Sequence, residues 1–172
     1  GADSLRPGYM EYYARLQGRY WHRAGEPDEP AGNTFLWMKR SAEKPNTLSQ
    51  PLRNLKPGAL YSLKLMTADY LDISLGASKE KDIPIAVTFD GAEIIPERSF
   101  VAHMNSSSSS PSKLPFNGQH PAWFVLHRTV FRASSDSAVL RISDWPSATD
   151  PGGPEGQELM INGIAVQPYY SE

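Results

Sequence analysis

From Asn33 onward, apolar side chains recur at every second position, in short runs separated by glycine and proline. Tyr61, Leu63 and Leu65 show the pattern most clearly, with polar or flexible residues between them. A period of two is that of a strand with one buried face, so these runs predict β-structure. We expect eight or nine strands, over residues 33–40, 47–53, 61–66, 83–89, 93–95, 99–104, 123–132, 138–142 and 158–167. Many short strands predict an all-β sandwich, of the jelly-roll type.

The spacers between these runs contain the residues that turns require. Pro57-Gly58 predicts a tight turn, Asp90-Gly91 a hairpin, and Asn162-Gly163 a bulge or tight bend. Two spacers are longer than a hairpin needs, residues 103–121 and residues 144–157. We expect both to be surface loops, since long loops inside a compact domain are uncommon without a function.

The composition narrows the class of protein. A chain of 172 residues, 40% of them hydrophobic and 21% charged, has the length and balance of one folded domain. A net charge of −2 offers no basic surplus for phosphates, so we expect no nucleic-acid partner. The apolar run at residues 122–126 is too short to cross a bilayer, so no membrane insertion is expected. Cysteine is absent, which excludes disulfides and thiol catalysis.

Residues 1–32 differ from residues 33–172, which we take as the sandwich domain. Tyr9, Tyr12, Leu16 and Tyr20 have the spacing of one face of a short helix. The segment 25–30 is rich in proline and ends any regular structure. This first part is interpreted as a lead-in that packs on the domain, or as a linker from an upstream domain.

Three passages resemble galactose-binding-like jelly-roll domains, in particular the carbohydrate-binding modules of bacterial glycoside hydrolases. They are residues 50–61 (QPLRNLKPGALY), residues 131–142 (FRASSDSAVLRI) and residues 159–166 (LMINGIAV), in the order and spacing of that family. The resemblance implies an accessory domain of a larger glycan-active protein, secreted or held at the bacterial cell surface or in the periplasm. It implies a polysaccharide or oligosaccharide ligand, and an adjacent catalytic domain of the same polypeptide as a second partner.

The resemblance also bears on metals. Some relatives hold a structural calcium with a carboxylate of the closing strand, and this sequence has Asn162-Gly163 where they have two acidic residues. We therefore expect no cofactor, with calcium left as an open alternative.

Sugar-binding surfaces combine flat aromatic rings with planar polar side chains. Trp145, in a loop next to proline, is the best candidate for stacking, with Asp144 beside it. The alternative is that the ring folds back and plugs the edge of the sandwich.

Two further groups are candidates for ligand binding. Asn117, Gln119 and His120 offer amides and an imidazole on a loop, and their alternative is an ordinary polar loop. Tyr20 and Trp21 could line a cleft, although such a cluster also anchors terminal segments.

The sequence predicts no catalytic residue and no enzyme. Its histidines lack metal-ligand spacing, and His127 falls on the strand register of Phe131, which favours a hydrogen-bonded interior histidine. Asp90, Glu93 and Glu97 could form a carboxylate pair, but the Asp-Gly turn explains Asp90 without chemistry. Two alternatives to sugar binding stay open: a structural domain that packs on a neighbouring catalytic domain, and a small jelly-roll lyase or hydrolase.

Overall fold

A computed structural model describes residues 5–7, 34–105 and 122–170 of the chain. Within these ranges the chain forms one sheet of seven strands and one sheet of three, in which all neighbouring strands are antiparallel. The strands are β1 (Leu5–Pro7), β2 (Thr34–Lys39), β3 (Thr47–Leu52), β4 (Leu60–Asp69), β5 (Ala86–Asp90), β6 (Ala92–Ile94), β7 (Phe100–Asn105), β8 (Trp123–Ala133), β9 (Ala138–Ser143) and β10 (Glu158–Pro168). The prediction of an all-β sandwich is confirmed.

The order of strands places β10, the last described strand, in the middle of the large sheet. The large sheet runs β1-β2-β10-β4-β8-β6, and β7 pairs with β8 beside β6. The small sheet runs β3-β9-β5. Consequently β10 lies between β2 and β4, and the strands that flank it are far from it in sequence.

The main core lies between the two sheets and follows from the period-two pattern. Leu63 and Leu65 of the large sheet are buried in the same cluster as Leu140 and Ile142 of the small one. Burying an aliphatic side chain of this size stabilises a fold by about 1.5–3 kcal/mol. The rings of Phe89 and Phe131, one from each sheet, stack with their centroids 4.2 Å apart and join the two layers.

A second apolar cluster lies on the other face of the large sheet, which we call the outer face. A short helix, α1 (Tyr70–Ser74), begins after Asp69, whose carboxylate accepts a hydrogen bond from the Asp72 amide. Its Ile73 packs there with side chains of the sheet and of the segment before β8, namely Phe35, Ala68, Ala122, Phe124 and Met160. Among the residues described, no helix has the length and apolar character of a membrane span.

One predicted turn is wrong in type. Asp90-Gly91 does not close a hairpin, because β5 pairs with β9 in the small sheet whereas β6 pairs with β8 in the large one. Gly91 has φ of 83° and carries the chain from one layer to the other. The bulge at Asn162-Gly163 is confirmed, since the register of β10 against β4 shifts between Asn162 and Ala165.

Much of the predicted lead-in lies outside the described residues. Within residues 1–32 the structure describes Leu5–Pro7, which forms β1 and pairs with β2 at the edge of the large sheet. The helix predicted from Tyr9 to Tyr20 lies outside the description, and so do residues 106–121 of the first long loop.

Candidate functional site

Trp145, the leading sugar-binding candidate, has no open ring face. Its side chain is 8% exposed, and its indole Nε1 donates a hydrogen bond of 3.1 Å to the carbonyl of Ser41. Asp144 is fully buried, and its two carboxylate oxygens accept hydrogen bonds from the backbone and side-chain amides of Asn46, at 2.8 and 2.7 Å. This geometry fits the alternative in which the ring folds back onto the sandwich edge, because both residues find partners across the chain. Sugar binding by Trp145 and Asp144 stays a prediction.

The second long loop is held in place by a buried arginine. Arg40 is 2% exposed, and its guanidinium donates to Gln157 Oε1 at 2.8 Å, to the Pro84 carbonyl at 2.8 Å and to the Pro151 carbonyl. Its three nitrogens bond Pro84 and two points of the second long loop, Pro151 and Gln157, in a planar arrangement that a lysine ammonium does not reproduce. The backbone of Gly153 packs against the Gln157 side chain, so that a Cβ added at Gly153 would lie 2.4 Å from Gln157 Oε1.

Further carboxylates lie beside the second long loop (residues 144–157), at the part of the sandwich edge that we call the rim. They are paired as well. Asp69 Oδ2 accepts from Lys81 Nζ at 2.8 Å and from Gln157 Nε2 at 3.0 Å. Burial opposes the charge of Asp69, yet these bonds and that from the Asp72 amide hold its pKa below the ordinary value. Lys81 also contacts Asp72 at 2.5 Å. This network of Arg40, Asp69, Lys81 and Gln157 serves to hold loops together.

The candidate catalytic groups do not form an acid–base pair. His127 is 7% exposed, and its Nε2 lies 2.9 Å from Thr67 Oγ1. Desolvation by burial lowers the pKa of His127 to about 4. Asp90 forms an ion pair with Arg141, and Glu93 faces Arg132 in the strand register. His127 is therefore the hydrogen-bonded interior histidine that the strand pattern predicts.

The other predicted ligand residues cannot be placed. Asn117, Gln119 and His120 lie outside the described residues, as do Tyr20 and Trp21. Sugar binding by these five residues stays a prediction.

Sequence reasoning missed a group of side chains on the outer face, at the end away from α1. The guanidinium carbon of Arg128 lies 5.7 Å from the ring centroid of Phe100 and 5.2 Å from that of Tyr169. Arg98 approaches the Tyr169 ring at 5.8 Å. Lys64 is exposed and pairs in register with Arg128. These five residues, which we call the basic–aromatic patch, come from four separate parts of the chain.

Solvent reaches the patch and the strand beside it. Phe100 is 45% exposed and Met104, on the same face of β7, is 46% exposed. Large exposed apolar residues that lie together mark interaction surfaces more often than single ones do. The even-numbered positions of β8 could have indicated this patch from the sequence. There Leu126 and Arg128 lie on the face opposite the core residue His127.

The patch carries three positive charges, from Lys64, Arg98 and Arg128. Among the residues that the structure describes, no carboxylate lies within 4.0 Å of a charged nitrogen of Lys64, Arg98 or Arg128. The Nε of Arg128 is buried and has no hydrogen-bond partner there. An arrangement of this kind suits an anionic or hydroxyl-rich ligand, because it presents donors without competing acceptors.

The residues at the closing strand do not fit a calcium site. The side-chain oxygen of Asn162 accepts a hydrogen bond from the Gly163 amide, and no carboxylate replaces the missing acidic pair. Across the described ranges, no three metal-ligating side chains come together. We derive no role for calcium.

Comparison with known proteins adds no identity to this geometry. The chain matches no family model, no curated protein and no solved structure.

Proposed function

We propose that this chain is a jelly-roll accessory domain that binds carbohydrate on its basic–aromatic patch. The observation that carries the proposal is the pair of rings, Phe100 and Tyr169, beside two guanidinium groups on an open sheet face. Sugar rings present C–H groups that pack on aromatic surfaces, and their hydroxyls accept hydrogen bonds from arginine. A rigid sheet holds such groups in place before the ligand arrives, which lowers the cost of binding.

The resemblance to galactose-binding-like modules supports the rest of the proposal. Its first motif builds a turn around Pro57-Gly58, where Gly58 has φ of 78° and the Lys56 amide donates to the Tyr61 hydroxyl at 2.8 Å. Its closing motif forms β10 with its bulge. On this basis we propose a parent protein that is secreted or cell-surface and acts on glycans, with no catalysis by this domain.

Binding to a panel of plant and marine polysaccharides tests the proposal. Affinity electrophoresis followed by titration calorimetry should detect a ligand, and Tyr169→Ala should weaken binding by about tenfold, as expected for losing a stacked ring. Tyr170→Ala is the matched control, because it removes the same kind of ring at a residue that is 86% exposed and does not belong to the patch. Absence of binding at millimolar ligand, or equal affinity of wild type and Tyr169→Ala, would contradict the proposed site.

One observation favours a second function, docking onto a neighbouring domain. Among the described strands β7 pairs with β8 alone, and it exposes apolar side chains on both faces, with Val101 at 60% and Met104 at 46% exposed. Edge strands with apolar faces are templates for association. Val101→Lys should then abolish co-purification with the neighbouring domain supplied as a separate chain, and should leave glycan binding unchanged. Unchanged co-purification would argue against docking through β7.

A further inference from the structure

Two cations face each other across the outer face of the large sheet. Lys64 of β4 and Arg128 of β8 are partners in the antiparallel register, and their side chains share the face opposite the core. Like charges directly opposite each other destabilise a sheet. Arg98 adds a third positive charge to the same patch. Since the whole protein carries a net charge of −2, this local excess does not reflect a generally basic composition.

Two acidic residues close to the patch in sequence or strand register, Glu93 and Glu97, form no ion pair with it among the described residues. Glu93 pairs in register with Arg132, and Glu97 neighbours Arg98 in the short helix Pro96–Arg98 without an ion pair in the described part of the chain. On β10, the residue beside Lys64 in register is Ala165. The patch therefore carries three cations whose charge the described part of the protein does not balance.

Arg128 is the member whose geometry points most directly to a ligand. The rings of Phe100 and Tyr169 both lie against its guanidinium, and its buried Nε has no partner among the described residues. A buried N–H without a partner costs free energy, and such groups in a folded protein call for an explanation. A group that approached the outer edge of the guanidinium in its plane would bond the Nη nitrogens without displacing either ring, while the buried Nε stays out of its reach.

We propose that Lys64, Arg98 and Arg128 bind the carboxylate groups of a polyuronate, an acidic polysaccharide. This inference rests on the proposed function and names the chemical class of its ligand. The planar fork of Arg128 matches a carboxylate with two parallel hydrogen bonds, and Lys64 contributes a point charge. Phe100 and Tyr169 lie against the guanidinium of Arg128, which leaves its edge for a ligand that bonds in the guanidinium plane, as a flat carboxylate does. Binding would also relieve the repulsion between Lys64 and Arg128.

A comparison of two forms of one polymer tests the charge. Titration calorimetry of the full chain against oligogalacturonate should give binding that falls steeply with salt. The fully methyl-esterified oligomer, which keeps the sugar rings and loses the carboxylates, should bind at least about tenfold more weakly, as expected for losing hydrogen bonds to charged groups. Sulfated galactan and unmodified xylan complete the panel as the tetrahedral anion and the neutral polymer.

Variants locate the site on the protein. Arg128→Gln should weaken oligogalacturonate binding by about 10- to 100-fold, the range for a charge-assisted hydrogen bond. Arg128→Lys should lose most of this affinity as well, because it keeps the charge and loses the fork. Arg53→Gln is the control, because this substitution removes the same charge at an exposed position. Arg53 lies away from the patch, on the small-sheet side. Thermal unfolding of each variant checks that it folds.

Each outcome decides the question. Selective binding of oligogalacturonate that Arg128→Gln weakens by about 10- to 100-fold and Arg53→Gln preserves supports the proposal. Equal binding of the methyl ester, or of xylan, overturns the acidic ligand and leaves the proposed glycan-binding function standing. Tighter binding of the sulfated polymer overturns the carboxylate preference. Failure to bind any polysaccharide of the panel overturns the inference together with the proposed function.

Discussion

His127 should make the protein lose stability as the pH falls from 6.5 to 4. Its imidazole is buried in the main core beside Thr67, and desolvation lowers its pKa from 6.5 to about 4. In the unfolded chain the ring is solvated and takes up a proton near pH 6.5. A group whose pKa is lower in the folded state supports folding at pH above both values, and that support is lost as the pH falls.

The size of the effect follows from the two pKa values. Each tenfold difference in proton affinity between the folded and unfolded states is worth about 1.4 kcal/mol, so a pKa of about 4 against 6.5 corresponds to about 3 kcal/mol. The free energy of unfolding should be level above pH 7 and should fall by that amount between pH 6.5 and 4. This loss is a large part of the free energy of unfolding of a typical domain, which is roughly 5–15 kcal/mol.

Urea unfolding followed by tryptophan fluorescence, at half-unit steps from pH 4 to pH 7.5, measures this slope. His127→Gln keeps a hydrogen-bonding group next to Thr67 and removes the titration, so its free energy of unfolding should fall much less over the same interval. His103→Gln is the control, because it removes a histidine that lies near the surface between Glu80 and Asp82 and keeps His127, to which the loss is assigned. If wild type and His127→Gln lost stability in parallel, the argument from burial would be refuted.

Three further predictions concern the rim and the patch. Arg40→Lys should lower the free energy of unfolding by about 3 kcal/mol or more, measured by urea unfolding, because an ammonium does not reproduce the buried fork that ties Pro84 to two points of the second long loop. A loss below about 1 kcal/mol would argue against that role. Trp145→Phe should cost about 1–2 kcal/mol in the same assay through loss of the bond to the Ser41 carbonyl, and it should not change glycan affinity. Lys64→Gln should leave the melting temperature unchanged or raise it slightly, because it removes the repulsion from Arg128; a clear drop in scanning calorimetry would contradict this.

Local pattern was enough to predict most strands and the interior histidine. The alternation of Leu63 and Leu65 predicts β4, and the same two-residue period places His127 on the core side of β8, where it is found. These predictions succeed because the side-chain period of a strand is a local property. The bulge at Asn162-Gly163 is equally local, since glycine accepts the positive φ that it requires.

The rim and the patch could not be predicted in this way, because their partners are distant in sequence. Trp145 and Asp144 look like exposed loop residues until Ser41 and Asn46, about one hundred positions earlier, are placed beside them. The patch requires Arg128 and Tyr169 to meet on one face, which depends on the order of β4, β8 and β10. The hairpin predicted at Asp90-Gly91 is wrong for the same reason. An Asp-Gly pair indicates a turn, but it does not determine which sheet the next strand joins.

The position of β10 has a consequence for how the protein is assembled. This strand is the last described element of the chain, yet it lies between β2 and β4 and joins them. Until it is synthesised and inserted, β2 has no neighbour toward the rest of the large sheet, and β4 has one open edge. Pairings between distant segments form slowly, because the intervening chain must first be closed into a loop. The large sheet is thus completed by the final strand, and a chain cut before Glu158 would leave two fragments of a sheet with no strand to connect them.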